Sequence, residues 1–124
     1  MHELAFASNI LEKIKKEAKK HKAHKVISVE LNLGELLFLD PEQLKFLLET
    51  LIDDDIIKGA DFKIKMQKAE GECNCGYTGP LDYKEESHQL IYIKCPVCNG
   101  MPEIRKGNEC IIEKINMEVE DSIE

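Results

Sequence analysis

The sequence contains no apolar run longer than a few residues, far short of a membrane span. No basic stretch leads into an apolar one at the N-terminus, so no secretory signal is visible and the expected compartment is the cytoplasm. Cations are in the minority: 24 Asp and Glu stand against 17 Lys and Arg, a net charge of −7. That balance opposes a phosphate backbone, whose affinity for proteins comes chiefly from neutralisation by Lys and Arg, and it argues against nucleic acid as a partner. The lysines clustered from Lys13 to Lys25 then read as a solvated helix face. Tryptophan is absent. So are H-E-x-x-H, a glycine-rich phosphate loop and a nucleophile elbow, which leaves no recognisable catalytic constellation. Internal repeats and low-complexity linkers are lacking as well.

What is present is enough apolar material, 43% of residues, for one modest core, arranged in patterns rather than clumps. Glu3 to about His21 reads as an amphipathic helix, with Leu4, Ala7, Leu11, Ile14 and Ala18 spaced by threes and fours. Val26 to Leu33 alternates as a strand, with Ile27, Val29, Leu31 and Leu33 on one face and Ser28, Glu30 and Asn32 on the other. A second helix is announced by Asp40 as cap, Pro41 at the first helical position and Gln43 to complete a capping box. Leu44, Leu47, Leu48, Leu51 and Ile52 supply its stripe, and Gly59 is its expected stop. Asp61 to Lys68 forms the next strand, with Phe62, Ile64 and Met66 inward.

From Glu70 to Lys106 glycine, proline and cysteine replace periodicity, and only Leu90 to Lys94 resembles a strand. Alternation returns at Cys110 to Val119, with Ile111, Ile115, Met117 and Val119 on one face. The expected fold is therefore α+β: a small sheet of about three strands with two helices, the last strand rejoining the first two. A zinc-ribbon-like module is inserted into it. The boundaries drawn are 1–69 with 109–124 for the α+β domain and 70–108 for the insertion.

Five cysteines in a reducing compartment point to metal rather than disulfides. Cys73 and Cys75 form one pair, Cys95 and Cys98 another, with 19 residues between Cys75 and Cys95. Two short cysteine turns joined by a hairpin deliver the tetrahedral thiolates of a structural Zn(II), which would stabilise a segment too poor in apolar residues to fold alone. The C-P-V-C-N-G turn is regular. The C-N-C turn is one residue short, because Glu72 stands where the first cysteine of such a knuckle is expected. Cys73 is the fourth ligand of choice, with Cys110 and His88 the alternatives.

The chain opens Met1-His2-Glu3 directly before a helix. The bulky second residue predicts that Met1 is retained. Its amine, the His2 amide and ring nitrogens and the Glu3 amide nitrogen can then surround one ion in a plane. Square-planar nitrogen favours Ni(II) or Cu(II) over zinc. His21 and His24 read as surface residues near the helix end, and Asp53-Asp54-Asp55 as an exposed turn.

Taken together, M-H-E at the start, the strand V-E-L-N-L-G-E-L, the paired cysteines and the final alternating strand resemble the HypA family of nickel metallochaperones for nickel–iron hydrogenase. The resemblance covers essentially the whole chain. It implies a nickel-binding α+β domain with an inserted zinc domain, and a nickel carrier rather than an enzyme. It further implies Met1, His2 and Glu3 as the nickel site, Cys75, Cys95 and Cys98 in zinc positions with Cys73 displaced, and two partners, the GTPase HypB and the hydrogenase large subunit. Two rival readings fit less. A small metal-dependent hydrolase would need an open metal position that four thiolates deny it. A nucleic-acid-binding zinc ribbon conflicts with the net charge and leaves Met1-His2-Glu3 unexplained.

Overall fold

The computed structural model describes residues 3–119 of the chain. Helix α1 spans Glu3–Lys20 and buries Ala7, Ile10, Leu11, Ile14 and Ala18, a stripe at helical spacing. Glu3 in its first turn and Lys19 and Lys20 in its last both suit the helix dipole. Leu4, expected inside, is 54% exposed, and the inward position is taken by Ile10.

Strand β1, Ala23–Gly34, is longer than the alternation predicted. Positions of both parities are buried: Val26, Ser28 and Asn32 on one side, Val29, Leu31 and Leu33 on the other. The supposed polar face is therefore covered, as befits the middle strand of a sheet. Ser28 tolerates burial because its hydroxyl accepts a 2.7 Å hydrogen bond from the Asn116 side-chain amide. Ile27, expected in the core, is 45% exposed.

A 3-10 turn, Glu35–Leu37, and Phe38 at φ 54° redirect the chain. Helix α2, Pro41–Leu51, starts as its sequence dictates, with the Asp40 side chain accepting from the Glu42 N–H at 2.9 Å. The Asp40 N–H meets the Glu3 carboxylate at 3.5 Å, in the place where Gln43 was expected to close a capping box. Leu44 and Leu48 are buried, and α2 packs against α1. The helix stops at Leu51, well before Gly59. In between, the Asp54 carboxylate accepts from the Ile56 N–H at 2.9 Å and its carbonyl from Ile57, so Gly59 (φ 84°) ends a separate turn. Strand β2, Asp61–Gln67, follows and buries Phe62, while Met66 is half-exposed.

The cysteine-bearing stretch holds more strand than its sequence advertised. It comprises β3 (Glu70–Glu72), β4 (Thr78–Pro80), β5 (Asp82–Glu86), β6 (Gln89–Lys94) and β7 (Glu103–Lys106). β3 pairs antiparallel with β4 and β7, and β5 with β6. Gly71 lets β7 approach, since a Cβ there would sit 2.1 Å from the Glu103 carbonyl oxygen. The β5–β6 hairpin turns on Ser87 and His88, both at positive φ, in the manner of a two-residue primed turn. Strand β8, Cys110–Val119, then forms the sheet β2–β1–β8, so the last strand does rejoin the first two. As an outer strand it is only half covered: Ile111 and Val119, expected inward, are 47% and 46% exposed.

The described chain divides into two compact units, residues 33–38 with 66–110, and residues 3–32 with 39–65 and 111–119. Segment 33–38 joins the cysteine unit through backbone bonds. Gly34 donates to Glu109 at 2.9 Å and Leu36 to Gly107 at 2.8 Å. The Glu35 carboxylate accepts from the Ala69 N–H and, at 2.9 Å, from the Tyr83 hydroxyl, whose ring lies 5.9 Å from that of Phe38. Burial and the Glu35 carboxylate push the Tyr83 phenol above its usual range.

Gly34 has φ −68°, so what it needs is space rather than a glycine backbone. A Cβ there would lie 2.3 Å from the Gly107 carbonyl oxygen. Gly34→Ala is expected to lower stability by about 1–3 kcal/mol, the usual cost of overpacking against atoms that cannot swing away. Denaturant titration of the two proteins measures it, and equal midpoints would contradict the close approach.

Candidate metal centre

The cysteine site is built from two loops that differ by one residue. In the second, the Cys95 N–H donates to the Gly100 carbonyl and the Asn99 N–H to the Cys95 carbonyl, both at 2.9 Å. In the first, the Cys73 N–H donates to Tyr77 and the Gly76 N–H to Cys73, again at 2.9 Å. Counted back from their closing residues, the loops match. Cys75 corresponds to Cys98, Tyr77 to Gly100, and Gly76 (φ 99°) to Asn99 (φ 62°), each in the left-handed region. The residue missing from C-N-C is taken from between the cysteines, and the turn after the second cysteine is kept.

These loops bring four sulfurs, from Cys73, Cys75, Cys95 and Cys98, within 4.8 Å of one another. Cys73 Sγ lies 3.4 Å from Cys98 Sγ, and Cys75 Sγ 3.7 Å from Cys95 Sγ. Tetrahedral thiolates at a zinc–sulfur distance of about 2.3 Å would be about 3.8 Å apart, so the cluster has the dimensions of such a site. Backbone donors are in place too. The Val97 N–H lies 3.4 Å from Cys95 Sγ and the Gly100 N–H 3.3 Å from Cys98 Sγ, and the Tyr77 N–H serves Cys75. Each comes from two residues beyond the cysteine it serves, and each favours a thiolate. The sequence reading named the sulfurs and missed these donors, although the residues after each second cysteine carried the signal.

The four thiols are not equivalent towards protons. Burial raises Cys95, but the Cys98 and Val97 N–H groups and the neighbouring thiols outweigh it and bring it down to about 7. Cys98 is lowered by the Gly100 N–H yet driven up to about 12 overall by the Cys73 and Cys75 sulfurs around it. Cys75 is favoured by the Tyr77 N–H, but burial and the Cys95 thiol leave it raised. Close-set thiols resist simultaneous ionisation, and a dication among them would remove that resistance. The donor set fits a soft or borderline cation.

Neither alternative fourth ligand belongs to the cluster among the described residues. Cys110 begins β8, and His88 occupies the β5–β6 turn. Of the proposed nitrogen site, Glu3 is the first residue of α1, whereas Met1 and His2 lie outside the described residues. His21 pairs with Glu17 at 3.5 Å and His24 with Glu118 at 3.2 Å. The acidic triplet is dispersed in role: Asp53 bonds Lys15 at 2.9 Å, Asp54 caps its turn, and Asp55 is exposed.

This arrangement has known counterparts. The family described as hydrogenase/urease nickel incorporation, metallochaperone, hypA matches residues 1–117. The chain belongs to the HypA family. A hydrogenase maturation factor HypA from Methanothermobacter thermautotrophicus is 38% identical over 122 residues, covering 98% of this chain and 100% of that one. Another, from Methanosarcina mazei, is 40% identical over 134 residues, covering 100% and 98%. The solution structure of the nickel metallochaperone HypA from Helicobacter pylori has a TM-score of 0.72 at 27% identity, over 97% of this chain and 100% of that one. The family is one of metallochaperones and maturation factors, not of catalysts. No helix among the described residues is long and apolar enough to cross a membrane.

Cys95→Ser is expected to lose the bound metal and unfold the cysteine unit, while Cys110→Ser keeps both. Metal content by mass spectrometry, with circular dichroism alongside, reads the two variants. Full metal in Cys95→Ser would show that the four-sulfur cluster is not the site.

Proposed function

We propose that this chain carries Ni(II) at Met1-His2-Glu3 and delivers it during maturation of nickel–iron hydrogenase, with Zn(II) on Cys73, Cys75, Cys95 and Cys98 as a structural cross-link. The observation that carries the reading is a nickel-incorporation family matching from residue 1, where M-H-E stands. On this reading residues 1–69 and 109–124 are the nickel domain and 70–108 the zinc domain. Nickel is cargo: the Met1 amine, the amide nitrogens of His2 and Glu3, and the His2 imidazole offer four consecutive nitrogens that need little from the fold. The Glu3 carboxylate is not required as a ligand, because the Glu3 backbone supplies the nitrogen. Zinc held by four thiolates has no open position, which suits a fixed site beside a releasable one.

The partners in this reading are the cytoplasmic GTPase HypB, meeting the N-terminal region with α1, and the hydrogenase large subunit as recipient. The family description names urease beside hydrogenase as a destination of the nickel. A metal that must be handed on belongs at an accessible edge, and that is the reason to expect the GTPase at the N-terminal region.

His2→Ala is expected to abolish nickel binding and leave zinc content and folding intact, because His2 precedes α1. Extension by one residue at the N-terminus should do equal harm by turning the amine into an amide. Wild-type nickel affinity in His2→Ala, read by isothermal titration calorimetry, would overturn the site. Binding should weaken in acid, since protons compete for amine, imidazole and amides.

A further inference from the structure

A metal carrier does not account for the groove between α1 and β8. Lys13, Lys16 and Glu17 of α1, with His21 just after it, line one wall; residues 112–115 and Met117 of β8 line the other, around 480 Å³. Its two carboxylates are already engaged, Glu17 by His21 at 3.5 Å and Glu113 by Lys65 of β2 at 3.0 Å. Lys13, Lys16 and Lys114 have no carboxylate within 4.0 Å among the described residues. Three lysines with no ion-pair partner within 4.0 Å among the described residues thus line one groove of a chain whose net charge is −7.

The backbone supplies the second half of the argument. β8 ends the order β2–β1–β8, so one of its edges has no strand beside it among the described residues. Four consecutive residues of β8 line the groove, and consecutive residues of a strand point to opposite faces. The groove therefore follows the strand's open edge rather than one face of the sheet. Ile112, Ile115 and Met117 give it a half-buried apolar lining.

We infer that this groove receives an extended, acidic segment of a partner protein, laid along β8 as an added strand. Its main chain bonds the open edge, its carboxylates meet Lys13, Lys16 and Lys114, and its apolar side chains rest on Ile112 and Ile115. A small anion would use the lysines and leave the apolar lining and the edge idle. Lysines beside an edge strand also discourage aggregation, but that role alone produces no binding. The inference goes beyond the nickel reading and stands independently of it.

The probe is a fluorescein-labelled nine-residue peptide of alternating Glu and Val, added to the full-length zinc-loaded protein. Anisotropy should show binding that weakens with salt, and amide exchange should slow in residues 111–117. The triple variant K13E/K16E/K114E, altered only at surface lysines, should bind about tenfold less tightly or worse, the sum of three exposed ion pairs. N-methylation of alternate peptide nitrogens should also abolish binding, as a strand requires. A Lys–Val peptide should not bind. The inference fails if the Glu–Val peptide does not bind, if the triple variant binds it unchanged, or if protection falls away from β8. It fails equally if the triple variant only alters self-association, since the occupant would then be a second copy. Nickel titration of the triple variant should be unchanged, which separates this outcome from that of the N-terminal site.

Discussion

Four sulfurs within 4.8 Å of one another are the constraint on which the cysteine unit depends. Of the buried apolar side chains, that unit holds only Leu33, Ala69, Leu81, Cys95 and Pro102, one of them a cysteine of the cluster. Three separate strand pairings and several exposed apolar residues on β6 and the second knuckle cannot be stabilised by so little burial. The loops are shaped for thiolates by backbone donors, but the thiols crowd each other and hold their protons unequally. A dication would resolve that conflict, and in doing so would link two loops that are otherwise joined through short strands.

The other unit needs no such device. Ile10, Leu11 and Ile14 of α1, Leu44 and Leu48 of α2, Phe62 of β2 and both faces of β1 give it an ordinary core. Lys15 and Asp53 add an exposed ion pair at 2.9 Å, in which each partner favours the charged form of the other: the lysine is raised and the carboxyl lowered. That contribution is present at neutral pH and is lost as acid protonates Asp53 or as base deprotonates Lys15, and solvent keeps it small. The two units thus rest on different physics: burial in one and, on the proposed reading, coordination chemistry in the other. A chain built this way can leave its proposed cargo site at the N-terminus, where exchange of nickel would disturb neither.

Legibility followed the same division. Periodicity found α1, β1, α2, β2 and β8, because amphipathic spacing is the signature of burial on one side. It misjudged the faces of β1, where Ser28 and Asn32 are buried, since alternation cannot tell a middle strand from a strand with one wet face. It ran α2 towards Gly59 because an Asp54-capped turn looks like a frayed helix end in one dimension. In the cysteine unit it found one strand of five, because β3, β4 and β7 are three or four residues long and β5 is Asp-Tyr-Lys-Glu-Glu, with no apolar alternation. There the cysteines themselves were the readable signal. The attachment of Leu33–Phe38 to that unit had none, since Glu35 reaches Ala69 and Tyr83 across a long sequence separation.

The short first knuckle shows how little of a metal loop its spacing alone determines. Its closing bonds are those of the second loop shifted by one residue, and its left-handed residue and sulfur-facing N–H occupy matching places. What has no counterpart in the contracted loop, among the hydrogen bonds of the described residues, is the one from the N–H two residues after the first cysteine to its sulfur. In the second loop that donor is Val97, which serves Cys95; in the first the position is Cys75, itself one of the four sulfurs. Cys73 therefore joins the cluster with less backbone support than Cys95, while its sulfur still reaches 3.4 Å from Cys98. The irregular spelling changes the electrostatic support of one thiolate and leaves the convergence of the four intact. Ligand spacing in sequence is a proxy for the backbone bonds that close the loop, and here those bonds survive a change in the spacing.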